Sequence, residues 1–401
     1  MELAGIVGKP NVGKSTFFSA LTLVNVEIAS YPFTTRKPNV GVTHLRVECV
    51  CRRLGVKDNP RNSICIDGVR LVPIQVIDCP GIVPGAHAGK GLGLQFLDDI
   101  RQASCLIVVV DASGSTADDG TLAEPGTHDP VVDVRLVEHE IDLWIAGLLW
   151  SEWPRISRAV EARQTDVRSE IARKLSGLGV GVDDVDEALN RVKLDEVKPT
   201  AWKLDQITLL ASELRRVNKP VVVAANKIDI EGAGKGVERL KRAGYDVVPC
   251  SAEAERVLRL AAEKSLIKYT PGDPDFTAYE ERLTREQLKA LEKIREKVLK
   301  PWGGTGVQQA VNQAYLDRLG YIPVFPVENP HTLTDHDGNV LPDVYLVRRG
   351  ATPRQLAYNI HTDLGDGYLY AIDAVTGMRL SEDYQLKSHD IISIFSAKKR
   401  G

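Results

Sequence analysis

No apolar run in this 401-residue chain approaches the roughly 18 residues that a membrane-crossing helix needs, so no membrane partner is expected. The opening Met1 to Val7 is too short for a signal peptide and lacks its charged start. Neither sign of charge dominates. Lys and Arg number 51 against 54 Asp and Glu, a formal net charge of -3, so any nucleic-acid contact has to come from a local patch. Cysteine is sparse, and its six copies are scattered as Cys49, Cys51, Cys65, Cys79, Cys105 and Cys250. One residue separates Cys49 from Cys51, a spacing unlike the usual zinc pairs, and no close Cys/His pair completes a site. Reduced thiols in a cytoplasmic protein are the expectation. The hydrophobic share of 43% and charged share of 26% are ordinary for a globular chain, and the length suits two or three domains.

What is present is organised around GKPNVGKST, residues 8–16, which follow the apolar run Leu3 to Val7 and lead into Phe17, Phe18, Ala20 and Leu21. The spacing Gly8, four residues, Gly13, Lys14, Ser15 fits a phosphate-binding loop between a strand and a helix. Gly8 and Gly13 let the backbone curl around an anion, so that its N–H groups and the helix N-terminus face the phosphates. The expected nucleotide contacts are Gly8, Pro10, Asn11, Val12, Gly13, Lys14, Ser15 and Thr16. Lys14 reaches the β and γ phosphates, and Ser15 places its hydroxyl on Mg²⁺. An accidental glycine turn is the competing reading. The strand before the loop and the helix after it argue against that.

The polar stretch VEIASYPFTTRKPNVG, Val26 to Gly41, is placed to carry a Thr that completes the Mg²⁺ shell. Thr34 and Thr35 are the candidates and Thr35 is preferred; Pro32 and Pro38 leave an ordinary surface loop open. Val40 to Cys51 and Val69 to Ile77 read as strands, the second running into Asp78, Cys79, Pro80, Gly81. Asp78 stands 64 residues after Lys14 (78 minus 14). There it would hold Mg²⁺ directly or through water, while the N–H of Gly81 approaches the γ-phosphate. Residue 82 is Ile, where a Gln commonly orients the attacking water, so slow unaided hydrolysis is expected. His87 is a candidate substitute, although loop histidines are more often merely solvated.

CLIVVV, Cys105 to Val110, has the β-branched character of a central parallel strand. Val131 to Trp150 and Arg155 to Leu175 have helical spacing and are expected to form an antiparallel helical hairpin inserted at about 130–217. Pro220 to Ala225 is a further buried strand, followed by Asn226, Lys227, Ile228, Asp229. The Asp229 carboxylate suits the N1–H and exocyclic amine of guanine. Adenine would leave it unpaired, a mismatch that discriminates by roughly 10⁴-fold or more. Lys227 is expected along the base and Asn226 between the loops. A backbone N–H at Ser251 or Ala252, after the strand DVVPC, is expected to meet the guanine oxygen.

GKPNVGKST, YPFTTRKPNVG, DCPG with GAHAGKGLG, NKID and CSA, in that order, resemble the Obg family of translation-factor-class GTPases, and most its YchF subfamily in an archaeal form. The resemblance covers nearly the whole chain. It implies a helical insertion, a C-terminal TGS domain, and Mg²⁺ bound by Ser15 and Thr35. Asn11 together with a hydrophobic residue at 82 implies K⁺ stimulation. Bacterial and eukaryotic YchF proteins commonly end the NKxD motif in Glu and prefer ATP; this chain keeps Asp229, so GTP is expected. From Tyr321 the texture turns to short strands, and RRGATPRQLAYNIHTDLG resembles a TGS domain, with His361 structural on its helix. Arg348, Arg349, Arg354 and the tail Lys398, Lys399, Arg400 are candidates for RNA phosphates. Yet residues 322–401 hold 8 Lys and Arg against 10 Asp and Glu, so a protein contact is equally open.

The expected architecture is a doubly wound α/β P-loop sheet with a coiled-coil-like helical insertion and a β-grasp TGS domain. The nucleotide domain spans 1–275, a helical linker 276–320 and the TGS domain 321–401. The expected function is that of a slow Mg²⁺-dependent GTP-hydrolysing switch, monomeric, with a ribosome- or tRNA-associated partner. An ATPase of the YchF type and a nucleotide-dependent RNA or protein scaffold are the alternatives.

Overall fold

The computed structural model describes residues 2–22, 39–90 and 93–397. Among these, residues 2–22, 39–41 and 75–314 make one compact unit, and residues 42–74 with 315–397 make a second. Strand β1 (Leu3–Val7) leads through the glycine loop into helix α1 (Lys14–Thr22). Strand β2 (Val40–Glu48) stops short of the strand expected to Cys51. Cys49 leaves the extended run as the N-terminal residue of α2 (Val50–Leu54), which Gly55 ends at φ +66°. Strands β3 (Ile64–Ile66) and β4 (Val69–Asp78) pair antiparallel across Asp67 and Gly68. Both turn residues have positive φ, the requirement that makes Asp-Gly a hairpin signal.

Helix α3 (Gly93–Gln102) then feeds β5 (Ala103–Asp111). Residues Cys105 to Val110 of β5 are all fully buried, as the CLIVVV run predicts for a strand covered on both faces. At about 1.5–3 kcal/mol per buried aliphatic side chain, β5 is a principal anchor of the sheet.

The region expected as a helical hairpin contains five helices: α4 (Pro130–Trp150), α5 (Trp153–Glu161), α6 (Val167–Leu175), α7 (Val182–Val192) and α8 (Leu204–Asn218). The second helix of the expected hairpin breaks because Arg163 takes φ +55° and Asp166 starts a new helix by accepting from the Ser169 N–H at 2.9 Å. Long-range ion pairs close the group: Arg215 of α8 reaches Asp142 at 2.6 Å and Glu138 at 3.0 Å on α4. Trp153 and Trp202 stack with ring centroids 5.1 Å apart, and each indole N–H donates to a backbone carbonyl.

Strand β6 (Val221–Asn226), α9 (Ala233–Arg242), β7 (Val247–Pro249) and α10 (Ala252–Glu263) follow. Next come the two-residue strands β8 (Ile267–Lys268) and β9 (Thr277–Ala278), then α11 (Arg285–Ile294), α12 (Lys300–Trp302) and α13 (Val307–Asn312). Among the described residues the main sheet has seven strands in the order β2-β4-β1-β5-β6-β7, with β3 beside β4. β1 runs parallel to β4 and β5, β5 to β6, and β6 to β7. No helix among the described residues is long and apolar enough to cross a membrane.

In the second unit, β10 (Tyr321–Val327), β11 (Tyr345–Arg348), α14 (Pro353–Ile360), α15 (Thr362–Asp366), β12 (Tyr368–Asp373) and β13 (Ile391–Ser396) form a sheet ordered β11-β10-β13-β12. Its core joins Val324, Val347, Leu356, Ala357, Ala371 and Ile392. The helix expected to carry His361 is divided there: the His361 backbone is extended and its ring accepts from the Asp363 N–H at 3.1 Å. Residues 42–74 belong to this unit through specific contacts. The N–H groups of Asn59 and Arg61 donate to the carbonyls of Val340 and Pro342, and Asn62 exchanges two hydrogen bonds with the Val344 backbone.

Candidate nucleotide site

The glycine loop lies at the carboxyl end of β1, where the sheet order passes from β4 on one side to β5 on the other. Ligands of open α/β sheets bind at such a switch point. Gly8 has φ +149°, and a Cβ there would stand 2.3 Å from the Val109 carbonyl oxygen. Gly13 has φ +99°, and its Cβ would stand 2.3 Å from Asn226 Nδ2. Cβ atoms on Gly81 and Gly120 would come within 3.1 Å and 2.9 Å of the Pro10 ring, so the loop is closely approached by both glycines. Asn11, at φ +63°, donates its amide to the Gly120 carbonyl at 2.9 Å. Val12 is buried, and Ser15 and Thr16 occupy the first turn of α1.

Lys14, 8% exposed, folds back across the loop and donates to the Lys9 carbonyl at 2.8 Å. Burial lowers its pKa to about 8, against the opposing pull of the Asp78 carboxylate. Asp78 ends β4. Burial pushes its carboxyl pKa up, Lys14 pulls it down, and its Oδ1 is buried with no hydrogen-bond partner among the described residues. An orphaned buried acceptor is costly, and a carboxylate oxygen with a serine hydroxyl is the oxygen donor set that Mg²⁺ prefers. Asp78 and Ser15 therefore fit that ion. Thr34 and Thr35 lie outside the described residues.

The Ile82 N–H donates to the Gly8 carbonyl at 3.1 Å, which holds Gly81 against the loop, and the Ile82 side chain is packed into the core at 1% exposure. His87 is docked rather than free. Its ring Nδ1 lies 2.6 Å from Glu140 Oε2, and the N–H groups of Gly85 and His87 donate to the same carboxylate at 2.7 Å and 3.0 Å.

On the base side, buried Asn226 donates Nδ2–H to the Val12 carbonyl at 2.9 Å and accepts from the Ala252 N–H at 2.9 Å. The exposed Asp229 accepts from the Ser251 hydroxyl at 2.8 Å. The N–H groups expected to meet the guanine oxygen have internal partners: Ser251 donates to the Thr305 carbonyl and Ala252 to Asn226. Lys227, at φ +66°, directs its ammonium to Asp111 Oδ2 at 2.8 Å and Thr116 Oγ1 at 3.0 Å.

Residues 3–136 match the family profile described as 50S ribosome-binding GTPase. Residues 224–329 match Obg-like GTPase YGR210-like, G4 motif-containing domain, and residues 332–396 match the TGS domain. An uncharacterized GTP-binding protein of Methanocaldococcus jannaschii is 46% identical over 401 residues, covering 100% of both chains. The chain belongs to the YchF-like Obg GTPases. A crystal structure of a GTP binding protein from Pyrococcus horikoshii OT3 is 42% identical with a TM-score of 0.78, covering 99% of this chain and 100% of that one. Over 227 residues, 56% of this chain and 57% of that protein, the chain is 33% identical to a Mycoplasma pneumoniae protein named Ribosome-binding ATPase YchF.

Three supports of this Obg-type site escaped the sequence reading. Asp111, fully buried at the end of β5, accepts from the Ser113 N–H and hydroxyl, the Ser115 and Thr116 hydroxyls and the Lys227 ammonium. Burial alone would raise its pKa; the bonds from Lys227, Ser113 and Thr116 outweigh it and hold the carboxyl at about 2. Lys9 points inward, 2.8 Å from both the Thr116 carbonyl and Asp133 Oδ1, and both side chains are almost fully buried. Glu140 anchors the loop after Gly81 from α4. Asp111 ending an apolar strand was a visible signal; Asp133 and Glu140, 53 to 55 positions from their loop partners in the second case, carried none.

Proposed function

We propose that this YchF-like GTPase binds GTP with Mg²⁺ and hydrolyses it slowly to GDP and phosphate, as a cytoplasmic, monomeric switch for a ribosome-associated partner. The observation that carries the reading is Asn226. Its two hydrogen bonds tie the phosphate loop at Val12 to the start of α10 at Ala252, so one buried amide sets the distance between phosphate and base sites. In this reading Gly8, Pro10, Asn11, Val12 and Gly13 wrap the phosphates. Lys14 neutralises the β and γ oxygens, and Thr16 closes the first helical turn. When bound, Mg²⁺ neutralises charge that develops on the transferred phosphoryl group. Ser15, Asp78 and Thr35 would hold it. The Gly81 N–H, set by the Ile82 to Gly8 hydrogen bond, faces the γ-phosphate. Asp229 takes the two guanine donors, with Ser251 fixing its orientation and the Lys227 stem lying on the ring.

The partner assignment is supported by relatives named ribosome-binding, and it would act through the insertion at 130–217 and the TGS domain at 321–401, joined through 276–320. A tRNA-associated partner belongs to the same reading. Asn11 and the apolar residue at 82 support K⁺ stimulation. The test is competition for a fluorescent GTP analogue: GTP displaces it far better than ATP, whereas equal displacement would favour the ATPase reading that relatives' names suggest. A scaffold with negligible hydrolysis is the second reading, favoured by the burial of Ile82. Single-turnover hydrolysis in K⁺, in Na⁺ and with ribosomes separates the two, since the scaffold requires no acceleration in any of them.

A further inference from the structure

In the second unit, on the stretch of chain between the glycine loop and Asp78, the fold gathers Cys49, Cys51, Asp58 and Cys65 so that one ligand atom from each lies within 4.8 Å of all the others. Local structure explains the gathering. Cys49 is the residue at which β2 ends and α2 begins, and its N–H donates to the Gly68 carbonyl at the β3–β4 turn at 2.9 Å. Cys51 sits on the first turn of α2, and Cys65 is the middle residue of β3, directly opposite Arg70 on β4. The turn at Asp67 and Gly68 thus folds the third cysteine back onto the first two. From sequence, the x-spacing of Cys49 and Cys51 argued against a zinc pair; the hairpin supplies a third cysteine and the segment between α2 and β3 supplies Asp58.

We propose that this cluster is a structural Zn²⁺ site with three thiolates and one carboxylate. Tetrahedral zinc with Zn–S bonds of about 2.3 Å holds its sulfurs about 3.8 Å apart. The Cys51 and Cys65 sulfurs are 3.8 Å apart. The Cys49 sulfur and Asp58 Oδ2, 3.1 Å apart, have to separate by about half an ångström to share the ion. Thiolates select a borderline-soft ion such as zinc over Mg²⁺ or Ca²⁺.

The surroundings supply what such a site needs beyond its ligands. Arg70, with no exposed side-chain surface, donates to the Cys49 sulfur from Nε and Nη2 at 3.4 Å and to Asp58 at 2.9 Å. It is oriented in turn by Ser63 and by the Leu341 carbonyl, at 2.9 Å and 3.0 Å. Four anionic ligands, one divalent ion and one guanidinium sum to a single negative charge. That residual is small enough to hold in a partly buried site, and hydrogen bonds to ligating sulfur and carboxylate are the usual outer support. The ion would clamp α2 to the β3–β4 hairpin, next to the segment that binds the backbone of residues 340–344.

The test uses the full-length reduced protein, stripped with a chelator and titrated with Co²⁺ alone and then Zn²⁺ alone. One Co²⁺ per chain should give the absorption of a tetrahedral thiolate complex, which one equivalent of Zn²⁺ bleaches, and Zn²⁺ should raise the thermal midpoint. Cys65→Ser, at a half-buried position, should lose the thiolate absorption and Asp58→Asn should weaken uptake at least tenfold. Cys105→Ala, outside the cluster, should keep both, and binding of a GTP analogue reports that each variant is folded. No thiolate absorption in the reduced wild-type protein would overturn the proposal. Unchanged uptake in folded Cys65→Ser, or a Cys51–Cys65 disulfide in protein that takes up no ion, would do the same.

Discussion

A Cβ atom on Gly13 would stand 2.3 Å from Nδ2 of Asn226, the amide that also donates to the Val12 carbonyl. Two residues more than two hundred positions apart therefore define each other. The loop can close around an anion only with glycine here, and the amide can bridge the loops only where no side chain intrudes. Asn226→Ala leaves a buried carbonyl and a buried N–H unpaired, at about 1–3 kcal/mol each. A fall of tenfold or more in GTP-analogue affinity is expected by fluorescence titration, with a lowered melting temperature.

Asp229→Asn reverses the donor pattern offered to the base. Affinity for GTP should drop by roughly 10²-fold or more, and xanthosine triphosphate should become the preferred ligand. Unchanged preference in a competition assay would remove Asp229 from base recognition.

Burial disfavours the charge of Lys14 and lowers its pKa to about 8. Triphosphate binding needs the ammonium, so affinity should weaken by roughly tenfold per pH unit above about 8. Calorimetry in buffers of different ionisation enthalpy should show proton uptake in that range. For folding stability the sign is opposite: the folded pKa lies below the unfolded value of 10.5, so the cost of burying the charge is present below 8 and is relieved as pH rises from 8 towards 10.5.

Asp111, held at about 2, lies below the ordinary aspartate value of 3.8. Its contribution to stability is therefore complete above the unfolded value and is lost as pH falls towards 2. Asp111→Asn removes the charge while Lys227 stays in place. Denaturant unfolding at neutral pH should show a loss of about 3 kcal/mol.

Ile82→Gln places an amide where the chain buries an aliphatic group. Hydrolysis should not accelerate, because the side chain points into the core and not towards the γ-phosphate, and the melting temperature should fall. A single-turnover rate raised tenfold would show that residue 82 reaches the attacking water.

How much of this was legible follows from the range of the forces involved. GKPNVGKST could be read because its requirements are local: positive φ at Gly8 and Gly13 and an amine and hydroxyl on the next helical turn. The central strand at CLIVVV was readable because continuous β-branched residues suit only a fully covered strand. The insertion was read as two helices because periodicity continues through Arg163, while the break depends on a left-handed residue and a cap at Asp166. The internal use of the Ser251 and Ala252 N–H groups was invisible, since their acceptors at Thr305 and Asn226 are remote or share no pattern with them.

The residues alone determined the phosphate loop, because its backbone geometry and side-chain chemistry lie within a few neighbouring positions, while the TGS-type module was legible only through its resemblance to a known domain. Tertiary structure alone decided that Asp111 holds Lys227, that Glu140 holds the loop at His87, that residues 59–62 bind the backbone of residues 340–344, and that three cysteines and an aspartate converge. The first two are pairings across long stretches of chain, settled by which buried polar groups find partners once the sheets have formed; the cysteine cluster spans only residues 49–65, but its convergence depends on how α2 and the β3–β4 hairpin pack.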